Sequence, residues 1–154
     1  MNAKRQLFHI KPLAKPFVKW AGGKSQLLEQ FESLFPKDFN NYIEPMVGGG
    51  AVFFHLYTAD RLKNKSILID VNRELMNCYE AIRDNLGELI SMLEVFKKRY
   101  NEYPEEIYYH IRGWDRKKDF MEKSKVERVA RTIFLNRTCY NIFDGYCCYE
   151  ESKF

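Results

Sequence analysis

The sequence predicts an α/β fold in its first half, followed by an all-helical part. Two compact apolar runs, residues 42–47 and 66–70, alternate with helical patterns, as in a doubly wound sheet. After residue 84 the apolar spacing is helical only. We therefore assign residues 1–84 to an α/β domain and residues 85–154 to a helical domain. A chain of 154 residues suffices for one ordinary domain or two small ones.

The composition is that of a folded protein, with 45% hydrophobic and 30% charged residues. A net charge of +4 permits a nucleic-acid partner, but an ordinary surface explains it equally well. No apolar run is long enough to span a membrane, and the basic N-terminus lacks the apolar core of a secretory signal. The cysteines lack zinc-ligand spacing, so we expect no metal site, reduced thiols and a cytoplasmic protein.

The first elements follow from short apolar segments. After a basic lead-in, an apolar stretch around Trp20 is closed by Gly22 and Gly23. Ser25 is the expected N-cap of a helix that ends before Pro36. Strand 42–47 then enters the glycine turn Gly48–Gly50, and an apolar helix follows it.

The second strand, residues 66–70, is apolar throughout and ends in Asp70. Such a run is typical of a parallel strand that is covered on both faces. Asn72 is placed to cap the next helix, which carries Leu75, Cys78 and Tyr79 on one face. Further helices are expected over residues 86–100 and 126–134, whereas residues 101–124 are polar and aromatic and show no clear element.

Two glycine-containing segments are candidates for ligand binding. Gly23-Lys24-Ser25 is similar to a phosphate-binding loop, but that motif requires glycine where Val18 stands. The segment would otherwise present Trp20 and Lys24 to a flat, partly anionic ligand, or simply hold a core tryptophan beside a turn.

The second candidate combines the Gly48–Gly50 turn with Asp70. In parallel sheets an acid at the end of the second strand accepts the hydroxyls of a ribose, so an adenosine-type ligand is favoured. The alternative is an ordinary βαβ unit with a helix-capping aspartate.

A third candidate is the helix over residues 126–134 with the segment that follows it. Arg128, Arg131 and Arg137 could bind DNA phosphates, while Tyr140 stacks and Asn141 reads a base edge. Arginines on a helix more commonly form a solvated face, and this alternative stays open.

Four blocks, in this order, resemble the Dam-type, or D12-class, DNA adenine-N6 methyltransferases. They are residues 17–24 (FVKWAGGK), 42–54 (YIEPMVGGGAVFF), 70–75 (DVNREL) and 135–141 (LNRTCYN). The likeness spans residues 16–141. It implies a Rossmann-like, S-adenosylmethionine-dependent methyltransferase sheet domain, incomplete here, with an inserted all-helical DNA target-recognition domain.

The resemblance also implies roles for individual residues. Trp20 and Lys24 match positions that contact S-adenosylmethionine, and Asp70 matches the acid that holds its ribose. The cofactor motif also includes Glu44, Pro45, Gly48 and Gly50, whose turn lies under the methionine part. Arg137, Tyr140 and Asn141 match the surface that meets double-stranded DNA near the target adenine.

Two departures from the family pattern concern the end of the chain. After Asn141 the likeness is lost, and residues 142–154 form an atypical tail. The catalytic Asp-Pro-Pro-Tyr motif, which holds the flipped adenine, has no counterpart, because the prolines stand singly at positions 12, 16, 36, 45 and 104. We therefore expect a truncated enzyme with no catalytic residues of its own.

The functional prediction is adenine-specific methyl transfer from S-adenosylmethionine to N6 of adenine in duplex DNA, as in restriction–modification. The alternatives are a non-catalytic DNA- or cofactor-binding module, or one half of a split methyltransferase that works with a separate C-terminal chain.

Overall fold

The structure is a computed structural model that describes residues 13–139, which are mostly helical with one small parallel sheet. The strands are β1 (Tyr42–Pro45) and β2 (Ser66–Ile69). The helices are α1 (Leu28–Phe31), α2 (Ala51–Thr58), α3 (Arg73–Asp84), α4 (Leu86–Glu102), α5 (Pro104–Arg112) and α6 (Lys125–Thr138). Short 3₁₀ helices lie at Lys24–Leu27, Glu32–Leu34, Gly113–Arg116 and Phe120–Glu122. None of the helices in this part of the chain is long and apolar enough to cross a bilayer.

The two strands pair in parallel, as predicted, with α2 in the crossover between them. Tyr42 lies opposite Ser66 and Pro45 opposite Ile69. The expectation of cover on both faces is wrong within the described residues. Ile43 is 60% exposed and Ile69 is 49% exposed, because no described element packs over these side chains.

The predicted helix after Ser25 is also wrong. The segment divides into two 3₁₀ turns around the single turn α1, and Ser25 lies inside the first of them rather than at a cap. None of its residues is buried, and Leu34 is 75% exposed. Short helices need tertiary packing for stability, which this segment lacks.

Helices α3 to α6 enclose one hydrophobic core. Its fully or nearly buried members are Cys78, Ala81, Leu89, Phe96, Ile111, Val126, Val129, Ala130, Phe134 and Leu135. The helices predicted in these regions are confirmed, and Asn72 caps α3 by accepting a hydrogen bond from the Leu75 N–H at 3.0 Å. Helix α5 lies in the region to which no element was assigned. Since α3 precedes residue 84, the core extends across the sequence position of the predicted boundary.

Candidate functional site

An open cleft of about 1290 Å³ lies at the carboxyl ends of the two parallel strands. Its walls come from residues 13–25, from the turn after β1 and from the residues after β2. Of the predicted cofactor residues, Trp20, Lys24, Gly48 and Asp70 line this cleft. The other three, Glu44, Pro45 and Gly50, do not line it. This is the edge of a parallel sheet at which ligands generally bind.

The turn after β1 has a left-handed backbone at Gly48 (φ 54°) and Gly50 (φ 76°). A Cβ on Gly48 would stand 2.9 Å from Cδ1 of Trp20, and one on Gly50 would stand 2.6 Å from the hydroxyl oxygen of Tyr79. Only glycine meets both demands, since φ is positive and the neighbours touch the backbone. The indole of Trp20 is thereby seated on Gly48 at the wall of the cleft.

Asp70 follows β2 directly and braces the cleft from the second strand. One carboxylate oxygen accepts the N–H of Gly48 at 3.0 Å, and the other accepts the N–H of Asn72 at 2.9 Å. A carboxylate has about four acceptor positions, so each oxygen retains capacity for a further donor. The side chain is half-buried and borders the cleft, which is suitable for accepting hydroxyl groups.

Glu44 is buried in the sheet, with 8% of its surface exposed. Its carboxylate accepts the Tyr42 hydroxyl at 2.7 Å. Burial raises the pKa of Glu44, while the Tyr42 hydrogen bond and the positive charge of Lys24 act in the opposite direction. The electrostatic influence of Lys24 therefore links the two predicted cofactor motifs.

Tyr79 is a site residue that the sequence pattern did not single out. Its hydroxyl donates to the Gly48 carbonyl at 2.9 Å, and the ring of Phe17 packs edge-on against its ring with centroids 5.0 Å apart. Burial raises the pKa of Tyr79, so it stays a neutral donor. Tyr79 was predicted on the apolar face of its helix, but no sequence signal indicated which loop it would contact.

The arginines of α6 behave differently from one another. Arg131 is 2% exposed, donates to the Ile111 and Arg112 carbonyls and pairs with Asp115 at 2.7 Å. It is neither a DNA contact nor part of a solvated face, because its donors are used inside the helical core.

The remaining arginines are also engaged within the chain. Arg128 pairs with Glu74 at 3.3 Å, with both side chains largely covered. Arg137 donates to the Phe17 carbonyl at 2.6 Å. Tyr140 and Asn141 lie outside the described residues.

The chemistry of the cleft favours a ligand with hydroxyl donors and an apolar or aromatic body. Asp70 supplies acceptors, Trp20 a ring face and Lys24 a cation. The phosphate-loop alternative lacks its helix, since Lys24 begins a 3₁₀ helix of four residues. Within residues 13–139, no group of three or more candidate metal ligands lies together.

Comparison with known proteins adds independent evidence. A family model described as the D12 class N6 adenine-specific DNA methyltransferase matches residues 20–150. This match extends past Asn141, so the prediction that the likeness ends there is wrong.

Individual relatives carry related names. The Type II methyltransferase M.MjaIII of Methanocaldococcus jannaschii is 43% identical over 136 residues, covering 82% of this chain and 46% of the relative. The Type II methyltransferase M1.LlaDCHI of Lactococcus lactis subsp. cremoris is 39% identical over 127 residues, covering 82% and 42%. The DNA adenine methylase of Haemophilus influenzae is 30% identical over 154 residues, covering 99% and 49%. The chain thus spans less than half the length of these relatives.

Proposed function

This chain belongs to the D12 class of N6-adenine-specific DNA methyltransferases, and we propose on that premise that it carries the cofactor half of an adenine-methylating site. The observation that carries the proposal is the cleft, which brings Trp20, Lys24, Gly48 and Asp70 to one edge of the parallel sheet. The family uses S-adenosylmethionine, and its binding by this chain is the proposal.

The residues present fit that cofactor. Asp70 offers acceptors for the ribose hydroxyls, and the Gly48 backbone lets a ligand approach without a side chain in the way. Trp20 presents a ring against which a flat base packs. When bound, S-adenosylmethionine supplies an electrophilic methyl group, and the protein's part is to position it.

Glu44 has a supporting role in this proposal. It is buried next to Tyr42 and is electrostatically linked to Lys24. A buried carboxylate is costly to the fold, so its charge is best explained by a positively charged ligand group nearby. The ammonium of the methionine part would meet this requirement. Pro45 and Gly50 then act by shaping the backbone between strand and turn.

The DNA-facing side of the proposal rests on the resemblance. We propose that the helical part, residues 85–154, is a target-recognition domain inserted into the sheet domain. Arg137, Tyr140 and Asn141 would lie at its contact with double-stranded DNA, in a cytoplasmic protein. The present bond from Arg137 to the Phe17 carbonyl uses one guanidinium nitrogen, and a guanidinium carries five N–H donors.

The methyl-transfer residues pose a separate question, because the sequence contains no Asp-Pro-Pro-Tyr. We propose that this chain does not transfer methyl groups unaided and that a second polypeptide with that motif completes the site. The exposed Ile43 and Ile69 side chains favour this alternative, since they leave the small sheet open to further packing. A cofactor- or DNA-binding module without chemistry is the remaining candidate.

Calorimetry with S-adenosylmethionine tests the cofactor site. The chain should bind it, and Asp70→Asn should weaken binding about 10- to 100-fold, which corresponds to about 1.5–3 kcal/mol for a hydrogen bond to a charged group. Asp38→Asn, at an exposed aspartate, is the matched control and should bind as the unchanged chain does. Unaltered affinity in a folded Asp70→Asn variant would remove Asp70 from the site. Binding of ATP in preference to S-adenosylmethionine would favour the phosphate-loop alternative.

Transfer of labelled methyl groups to unmethylated DNA tests the chemistry. We expect no turnover from this chain alone and recovery when a C-terminal D12-class fragment containing Asp-Pro-Pro-Tyr is added. Robust turnover without the fragment would contradict the proposed division of the site. Cofactor binding with no recovery on mixing would favour the binding module.

A further inference from the structure

Two residues at the end of α6 hold the segment that leads to Trp20. The Lys19 N–H donates to Oδ1 of Asn136 at 2.8 Å, and Nδ2 of Asn136 donates to the Lys19 carbonyl at 2.7 Å. Arg137 adds a bond to the Phe17 carbonyl at 2.6 Å. The primary amide of Asn136 thus satisfies both backbone groups of one residue, as a neighbouring strand would.

The held segment is the part of the chain that packs on the glycine turn. Val18 is 4% exposed, and its carbonyl oxygen is 3.3 Å from the position of a Cβ on Gly49. Trp20, the next residue after Lys19, sits on Gly48. A shift of the backbone at Lys19 would therefore be transmitted to the indole at the cleft wall.

We propose that Asn136 is a positioning residue for the cofactor cleft, which fixes Trp20 through the backbone of Lys19. Asn136 does not line the cleft, so it acts without touching the ligand. The inference rests on the proposed function, because the ligand it names is S-adenosylmethionine. It also means that the helix end leading into the predicted DNA surface is tied to the cofactor site.

A merely structural role predicts a different result. The Asn136–Lys19 bonds are exposed to solvent, so water replaces them when the amide is removed, and the unfolding midpoint should change little. What is lost is the fixed position of the segment. Binding then bears the cost of ordering it, so cofactor affinity falls while stability is kept.

The test uses the full chain with Asn136→Ala and Asn136→Asp. The aspartate keeps the acceptor for the Lys19 N–H but places a negative oxygen against the Lys19 carbonyl. Thr138→Val is the matched control on the same helix, because its hydroxyl bonds to the Phe134 carbonyl at 2.9 Å and does not contact the segment.

Two readouts decide the matter. Amide exchange of Lys19, followed by NMR, should become roughly tenfold faster in Asn136→Ala, because the N–H loses its acceptor. S-adenosylmethionine affinity should weaken about tenfold, the ordering cost of one or two side chains. Thr138→Val should change neither. Unchanged Lys19 exchange, or an affinity within threefold of the original, would overturn the proposal.

A third readout separates this proposal from the proposed function. The indole N–H resonance of Trp20, assigned by its loss in Trp20→Phe, should shift in Asn136→Ala and stay in place in Thr138→Val. If the unchanged chain fails to bind S-adenosylmethionine, the proposed function fails, and this resonance still judges the positioning of Trp20. An indole resonance that is the same in all variants would refute the role of Asn136.

Discussion

Replacement of Gly50 by alanine tests the glycine turn most directly. Gly50 has φ 76° and precedes the first turn of α2, so the substitution places an L-residue in the left-handed region. That conformation costs about 1–2 kcal/mol for a residue with a Cβ. The new methyl group would also stand 2.6 Å from the hydroxyl of Tyr79, which must therefore move.

Movement of Tyr79 would break its hydrogen bond to the Gly48 carbonyl, which adds about 1 kcal/mol. The free energy of unfolding should thus fall by about 2–3 kcal/mol in Gly50→Ala. For a chain of this size, such a loss lowers the melting temperature by about 4–12 °C.

Gly87→Ala is the matched control. Gly87 lies in the first turn of α4, has no positive φ, and a Cβ there would meet no atom within 4 Å. Alanine should stabilise this helix by about 0.5–1 kcal/mol. Urea denaturation of both variants measures the two changes. The reasoning is refuted if Gly50→Ala is as stable as the original chain, or if both substitutions destabilise it equally.

Three further predictions concern buried and capping groups. Arg131→Ala should cost about 3–5 kcal/mol in urea denaturation, because it leaves Asp115 and two backbone carbonyls without their donor; a loss below 1 kcal/mol would contradict the buried role. Ser124→Ala should cost about 1 kcal/mol, because the hydroxyl accepts the Glu127 N–H in a capping box, and an unchanged midpoint would argue against it. Glu44→Gln should raise stability at pH 7 and weaken S-adenosylmethionine binding. Because burial raises the pKa of Glu44 in the folded state, its contribution is present at low pH and is lost as pH rises through the folded pKa. The original chain should therefore lose stability between about pH 4.5 and neutrality, relative to Glu44→Gln, and parallel pH profiles would contradict this.

The parts of the fold that could be predicted have long, regular patterns. Helices α3, α4 and α6 show repeated apolar residues at helical spacing, and the strands are compact apolar runs. The first helix was wrong because its leucines and phenylalanines have no partners to bury them. Helix α5 was missed because it has nine residues and little apolar periodicity beyond Ile107 and Ile111.

The candidate site divides in the same way. Gly48 and Asp70 could be placed together, because both follow parallel strands at the same edge of the sheet. Trp20 and Lys24 reach the cleft through a segment without regular structure, so only the resemblance associated them with it. The contacts of Tyr79 and Asn136 join residues 31 and 117 positions apart, which local patterns do not encode.

The sequence separation between Lys19 and Asn136 has a consequence for synthesis. The wall of the cleft is fixed by an amide that is translated 117 residues after it. At about 5–20 residues per second, the ribosome takes roughly 6–23 s to add that length. During this interval the growing chain can form the β1–β2 pair and α3, but the segment before Trp20 has nothing to dock against. The cleft is therefore assembled last, after α6 has left the ribosome, although most of its wall is encoded in the first half of the gene.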